Sequence, residues 1–285
     1  LGVALSTGAA RAADLGAVDA AYARRSEGSA GERAALAPVR AAVRAAEAAA
    51  RAAPDDAAAR WREVRALHFL GEFATPGGRA QREVYERAMA RGEDALARLA
   101  QRLGGARLEE LAPDAWRPAL AAAKVDARDA GELYFWSAVA VGAWSQKTGL
   151  LEAVRSGAAG RLERYTRVAI DLAPGAYDGG PWRLWARMHA VLPRLPLLTS
   201  WVDRALALPA AERALAIAPA HPGNQLLFAM TLQDLHPERE AEAREILARV
   251  VQGAPRPEFA AEDAAVKKLA ASRLAQRGGG GETAR

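Results

Sequence analysis

Ala207-Leu208-Pro209-Ala210-Ala211-Glu212-Arg213-Ala214-Leu215-Ala216-Ile217-Ala218-Pro219 is the stretch that decides the fold. Ala207, Ala211 and Ala214 fall at i, i+4 and i+7, one face of an α-helix, and Pro219 follows five residues after the last of them. Small side chains on one face let a second helix approach closely, and a proline cannot continue the helix. The segment therefore reads as the second helix of a helical hairpin with its closure. Phe228, Ala229 and Leu232 follow in phase as the stripe of the next helix.

The same spacing recurs along the chain. Ala42, Ala46, Ala49 and Pro54 repeat it and lead to Trp61, Val64 and His68; Tyr165, Ala169 and Pro174 repeat it less completely, as do Ala243, Leu247, Val250 and Pro255. The last three of these prolines are 45 and 36 residues apart, which brackets the unit of about 34 residues of tetratricopeptide repeats. The spacing predicts an all-α fold of tetratricopeptide-like helical-hairpin repeats forming a compact superhelix. Helix stripes at Leu36, Val39 and Val43, at Val84, Ala88, Ala95, Leu99 and Leu103, and at Leu162, Tyr165, Ala169 and Leu172 fill the intervals. Pro38, Pro181, Pro209 and Pro222 stand where helices begin, and breaks are expected at Thr75–Gly78, Gly104-Gly105, Pro174–Pro181 and Pro193–Pro196.

Composition agrees with helix. Phe, Trp and Tyr make up 6 % of the 285 residues, and β-branched residues are sparse beside Ala, Arg, Leu and Glu. The formal charge is +5, but acids and arginines alternate in runs such as Glu83, Glu86, Arg87, Arg91, Glu93 and Asp94, the pattern of a solvated face. No nucleic-acid-binding motif accompanies the charge, so nucleic acid is not an expected partner. Absence of cysteine excludes disulfides, thiolate metal sites and a cysteine nucleophile within this chain.

Residues 1–13 resemble the end of an export signal, with an apolar Leu1–Thr7 followed by small residues at Ala10 and Ala12. A single helical-repeat domain is expected over 14–276, and a Gly-rich disordered tail over 277–285. No stretch reaches the roughly 18–20 apolar residues of a membrane helix, so the protein is expected to be periplasmic or secreted, not membrane-spanning and not lipid-anchored.

Leu133–Gln146 differs from every other segment: fourteen residues without a charge, apolar on nearly all faces. Such a helix needs cover all round and is the natural centre of the fold. It carries Tyr134, Trp136 and Trp144. Trp182, Trp185 and His189 lie at i, i+3 and i+7 on a later helix, interleaved with Arg183 and Arg187. Two readings of these aromatics stand side by side: packing of the core, or the lining of a groove where indole and guanidinium hold an organic anion or a partner segment. A cavity lined by Trp136, Trp144, Trp182 and Trp185 would favour ligand binding, and an open groove with the indoles packed away would favour a scaffold. Arg183 and Arg187 are expected to face solvent. The loop Pro174–Trp182, containing Tyr177, reads as a tight inter-helix connection, with Gly179-Gly180 supplying positive φ and the Asp178 side chain holding the turn.

No catalytic motif is evident. His68, His189, His221 and His236 include no i, i+4 pair for a metal, and Gly77-Gly78 and Gly179-Gly180 lack the lysine of a phosphate loop. The expectation is a binding protein, with no enzyme activity, metal or cofactor.

The ordered series Leu133-Tyr134-Phe135-Trp136, Ala143-Trp144, Tyr165, Leu172-Ala173-Pro174, Tyr177-Asp178-Gly179-Gly180-Pro181, Leu192-Pro193 and Ala214–Pro219 resembles the T component of tripartite ATP-independent periplasmic (TRAP) transporters. The likeness spans about Trp61 to Pro255 and is strongest from Leu133 to Leu232. It implies a periplasmic, tetratricopeptide-like accessory protein that partners a solute-binding protein, takes part in delivering a small organic ligand, and forms a homo-oligomer in some members. Two features depart from that pattern. The chain has no cysteine for lipidation, and Arg194–Asp203 replaces a glycine-rich turn. The alternative is a cell-envelope scaffold binding a peptide or protein.

Overall fold

The computed structural model describes residues 14–278. The signal-like stretch 1–13 and residues 279–285 of the expected tail lie outside the described residues, while Arg277 and Gly278 complete the last helix. Among the described residues there are thirteen α-helices and no β-strand, so the fold is all-α. They are α1 (Leu15–Ala23), α2 (Leu36–Ala52), α3 (Ala57–Phe69), α4 (Arg79–Arg102), α5 (Pro113–Ala122), α6 (Ala127–Thr148) and α7 (Leu150–Arg155). After these come α8 (Ala158–Leu172), α9 (Gly180–Val191), α10 (Ala207–Ile217), α11 (Pro222–Leu235), α12 (Glu240–Gln252) and α13 (Ala260–Gly278).

Local chemistry sets several helix starts. Asp14, Asp56 and Asp126 accept from backbone N–H groups two or three residues on, at 2.9, 3.0 and 2.9 Å. Each satisfies a donor that the helix itself leaves unpaired. Three of the four expected breaks fall between helices, and the fourth, Pro174–Pro181, runs into α9, whose first two residues are Gly180 and Pro181. The small-residue faces are all inside: Ala207, Ala211 and Ala214 are fully buried, as are Ala42 and Ala46, Tyr165 and Ala169, and Ala243 and Leu247. Leu36, the first residue of α2, departs from its expected stripe and is exposed.

The uncharged segment sits where its composition requires. Helix α6 packs against α3, α4 and α8, and also touches α5, α7 and α9. Cover on so many sides explains why its residues from Ala130 to Ala138 are all buried. Helices α9 to α13 are arranged differently: each packs on the next, and α11 also meets α9 and α13. Two hydrophobic cores result, one around α6 and a smaller one around α11. Helix α9 contributes to both, through Leu184 and Met188 on one and Ala186 and Trp182 on the other.

The α6–α8 crossing depends on one missing methyl. A Cβ at Gly131 would stand 2.7 Å from Ala173 Cβ and 2.8 Å from Ala173 N, a backbone atom with little freedom to move. Gly131→Ala is therefore expected to cost about 1–3 kcal/mol of overpacking. A fall in the urea midpoint at unchanged m-value reads it, and an unchanged midpoint would show that α8 yields freely.

Candidate functional site: a cationic aromatic cavity

A cavity of about 460 Å³ lies between the two cores. Its walls come from α1, the end of α3, α6, α9, α11 and α13, so elements from both ends of the chain and its centre meet there. The volume falls in the range of small-molecule sites.

Helix α6 supplies Phe135, Trp136 and Val139. Helix α3 ends in a π-helical turn, Leu70–Ala74, a rare local winding that is frequent at functional sites. That turn brings Phe69 and Phe73 together on the wall, ring centroids 4.8 Å apart. Thr75 Oγ1 donates to Leu70 O at 2.8 Å and Gln81 Nε2 to Gly71 O at 2.9 Å, satisfying carbonyls that the wide turn releases. His68 lies between the rings of Tyr85 and Trp136, at 6.1 and 5.9 Å, and burial lowers its pKa.

Helix α9 presents Gly180, Arg183, Leu184 and Arg187 to the cavity, the i, i+3, i+4, i+7 face. Both arginines therefore line the cavity, while the Arg187 side chain, 42 % exposed, also faces solvent as expected. The opposite face is occupied: Trp185 stacks on Trp201 at 5.8 Å, and His189 meets both rings edge-on at 4.4 and 5.5 Å. His189 Nδ1 accepts from Asp203 N at 2.9 Å. With one side of α9 committed to this aromatic packing, the arginines have only the cavity side left. A Cβ at position 180 would collide with the ring of Phe135, so glycine lets α9 close onto α6.

Arg183 holds the preceding loop. Tyr177, Asp178 and Gly179 have φ of +46°, +57° and +86°, three consecutive left-handed residues of which two carry side chains that disfavour it. Arg183 Nη2 donates to Tyr177 O at 2.6 Å and Nη1 to Asp178 O at 2.8 Å, and Asn224 Nδ2 also donates to Asp178 O at 3.0 Å. The turn is thus held through its carbonyls, not through the Asp178 side chain as the sequence suggests. Tyr177 projects onto Trp136, centroids 5.2 Å apart, and burial raises its phenol pKa.

The remaining polar wall comes from the C-terminal helices and was not foreseen. Arg256 is bound side-on by Asp263, Nε to Oδ2 at 3.1 Å and Nη2 to Oδ1 at 2.7 Å. Glu262 accepts from Arg25 and from Ser26 Oγ. His221 caps α11, its Nδ1 accepting from Gly223 N at 3.1 Å, which fixes the proton on Nε2. Nε2 is 3.9 Å from Asp178 Oδ2. Burial, and then the nearby Arg183 and Arg256, push the His221 pKa down to about 3, against the small opposing pull of Asp263, so the Asp178 contact is not an ion pair at neutral pH. Burial likewise brings Arg183 down to about 10, and it stays cationic.

The His221 shift fixes a sign. A histidine whose folded pKa lies below its ordinary value near 6.5 contributes stability that is complete above that pH and lost as pH falls toward 3. Between pH 6.5 and 5.0 one such proton is worth about 2 kcal/mol. Asparagine at 221 keeps a capping oxygen and removes the titration. Wild type is expected to lose about 2 kcal/mol more than His221→Asn over that interval in urea unfolding; parallel pH profiles would refute it.

Of the residues singled out from sequence, Trp136, Tyr177, Arg183 and Arg187 meet at the cavity. The others do not. Tyr134 is buried and donates to Glu109, Trp144 is buried in the α6 core, Trp182 packs against the α11 core, and Trp185 and His189 form the cluster with Trp201. Those positions satisfy the periodicity of a buried face, which a lining face shares. A second cleft of about 650 Å³ lies on the far side of Tyr22 and Tyr177, but its arginines 62 and 65 are both paired with Asp19.

Among the described residues no helix is long and apolar enough to cross a membrane, and no group of three or more His, Asp or Glu side chains is placed to hold a metal. No protein-family model matches the sequence, and no curated protein matches it.

Proposed function

We propose that this chain is a periplasmic helical-repeat accessory protein of a TRAP-type uptake system, which holds a small organic ligand and exchanges it with a solute-binding protein. The observation that carries the ligand half is the cavity of about 460 Å³, where Trp136, Tyr177, Arg183 and Arg187 converge between two cores. The order of aromatic and Gly-Gly-Pro segments that resembles the TRAP T component supports the rest. In this reading the stacked helices α9 to α13 are degenerate tetratricopeptide hairpins.

The role is binding, without catalysis. The carboxylates around the cavity are engaged by arginines, and His221 Nδ1 is committed to a backbone N–H, which suits groups that position a ligand more than groups that exchange protons with it. The cell-envelope scaffold draws on a different observation: Trp144, Trp182 and Trp185 pack in the interior and do not line the cavity.

Native mass spectrometry tests the proposal on protein recovered from the host under non-denaturing conditions. A periplasmic pool carrying one small molecule, released on denaturation and taken up more slowly when the gene is disrupted, is the expected result. A cytosolic pool without a bound molecule, and unchanged uptake, would overturn it.

A further inference from the structure

One cation of the cavity wall, Arg183, has no carboxylate at ion-pair distance among the described residues, and the half-exposed Asp178 carboxylate of the adjoining turn acts on it from farther off. Asp263 neutralises Arg256, and Glu262 neutralises Arg25. Arg187 has Asp234 at 3.7 Å, although that carboxylate takes its hydrogen bonds from Arg273. Arg183 has no carboxylate within ion-pair distance among the described residues, and its protein partners are two carbonyls and the Asn224 amide oxygen. Arg183 is half-buried, so part of its charge is withdrawn from water, and a group that compensates it is favoured.

The hydrogen-bond count is equally specific. A guanidinium has five N–H donors. Arg183 spends both Nη1 hydrogens, on Asp178 O and Asn224 Oδ1, and one Nη2 hydrogen, on Tyr177 O. Nε–H and the second Nη2–H remain without a protein acceptor among the described residues. Nε–H and an Nη2–H together can form the guanidinium edge that receives both oxygens of a carboxylate. The side chain lines the cavity, and the rest of the wall is largely apolar, with Phe69, Phe73, Phe135 and Trp136 on one side and Leu226 and Met230 on α11.

We propose that the cavity takes an amphipathic monocarboxylate, its carboxylate bound side-on by Nε and Nη2 of Arg183 and its apolar body against the aromatic wall. Among the described residues Arg183 is the cation of the cavity face without a carboxylate at ion-pair distance, which calls for one negative charge beside it. A second carboxylate would have to compete with Asp234 for Arg187 or lie against the aromatic wall, and a cationic head would face Arg183. At about 30 Å³ per small group, the volume admits an unbranched chain of about ten to twelve carbons. This assignment rests on the ligand-binding reading above and goes further by naming the chemical class.

Calorimetric titration of the full chain with decanoate, 1-decanol, decylammonium and decanedioate separates the two. Decanoate is expected to bind about ten-fold or more tighter than each of the others, the strength of a charge-assisted bidentate contact. Arg183→Met is expected to erase the decanoate preference while retaining decanol binding. Arg183→Lys, which keeps the charge without the fork, should fall between. Because Arg183 also holds the Tyr177–Gly179 turn, the readout is the decanoate-to-decanol ratio within each variant, which does not depend on the fraction folded. Decanol, decylammonium or decanedioate binding as tightly as decanoate would overturn the monocarboxylate assignment and leave the cavity as a ligand site. An unchanged ratio in Arg183→Met would also overturn it. Binding of none of the four would remove the ligand-site reading as well.

Discussion

Replacing Arg25 by methionine is expected to lower the unfolding free energy by about 3–5 kcal/mol, because it strands a carboxylate in the interior. Arg25 lies just after α1 and its side chain is 3 % exposed; Glu262 lies in the first turn of α13, 237 positions later, and is 10 % exposed. Arg25 Nε and Nη2 both donate to Glu262 Oε1, at 3.0 and 2.6 Å, and Nη1 donates to Tyr22 O at 3.2 Å. The guanidinium also lies over the rings of Tyr22 and Phe259, at 4.3 and 4.7 Å. Contacts of this kind join the two ends of the described chain beside the cavity wall. Arg25→Met together with Glu262→Met should recover most of the loss, since the desolvated charge goes with its partner. Urea unfolding reads both, and equal stability of Arg25→Met and wild type would show that water reaches Glu262.

Trp136→Ala is expected to cost about 3–5 kcal/mol. Trp136 is 3 % exposed, and its indole meets Phe135, Tyr177 and His68 at 4.9, 5.2 and 5.9 Å between ring centroids. Removing it merges the space of the indole with the existing cavity, so the neighbours have little to collapse onto. Trp136→Phe keeps an aromatic face and should cost about 1 kcal/mol, within the range of a core swap that alters volume modestly. A Trp136→Ala protein as stable as Trp136→Phe would mean that the wall closes in, and the cavity would then be a soft feature of the fold.

The helical class and its centre were legible because both follow from one dimension of the sequence. Small residues at i, i+4 and i+7 can only be useful on a helix packed against another, and fourteen uncharged residues can only be accommodated by burial on all sides. The cavity was legible in part. Trp136 stood out as a large aromatic of the uncharged helix, and Tyr177 as the aromatic within the Gly-Gly-Pro loop. The outward reading of Arg183 and Arg187 misses the cavity because periodicity identifies two faces of a helix without saying that the polar one borders a pocket, as it does in α9. His221, Arg256, Glu262 and Asp263 carried no signal of their own: Glu262 and Asp263 look like ordinary acids in the first turn of a helix. Glu262 gains its role where the start of α13 returns to Arg25 after α1, and Asp263 by binding Arg256, which puts both beside the cavity; the first of these pairings is a property of the tertiary path.

The most direct measurement concerns the space itself. Ala265 stands half-buried on α13 at the cavity wall, where a larger side chain grows inward without displacing another large group. In calorimetric titration with decanoate, wild type is expected to bind and Ala265→Trp to bind about 100-fold more weakly or not at all, with a urea midpoint close to that of wild type. Equal affinity in the two proteins would place the ligand elsewhere and contradict the assignment of this cavity as the binding site.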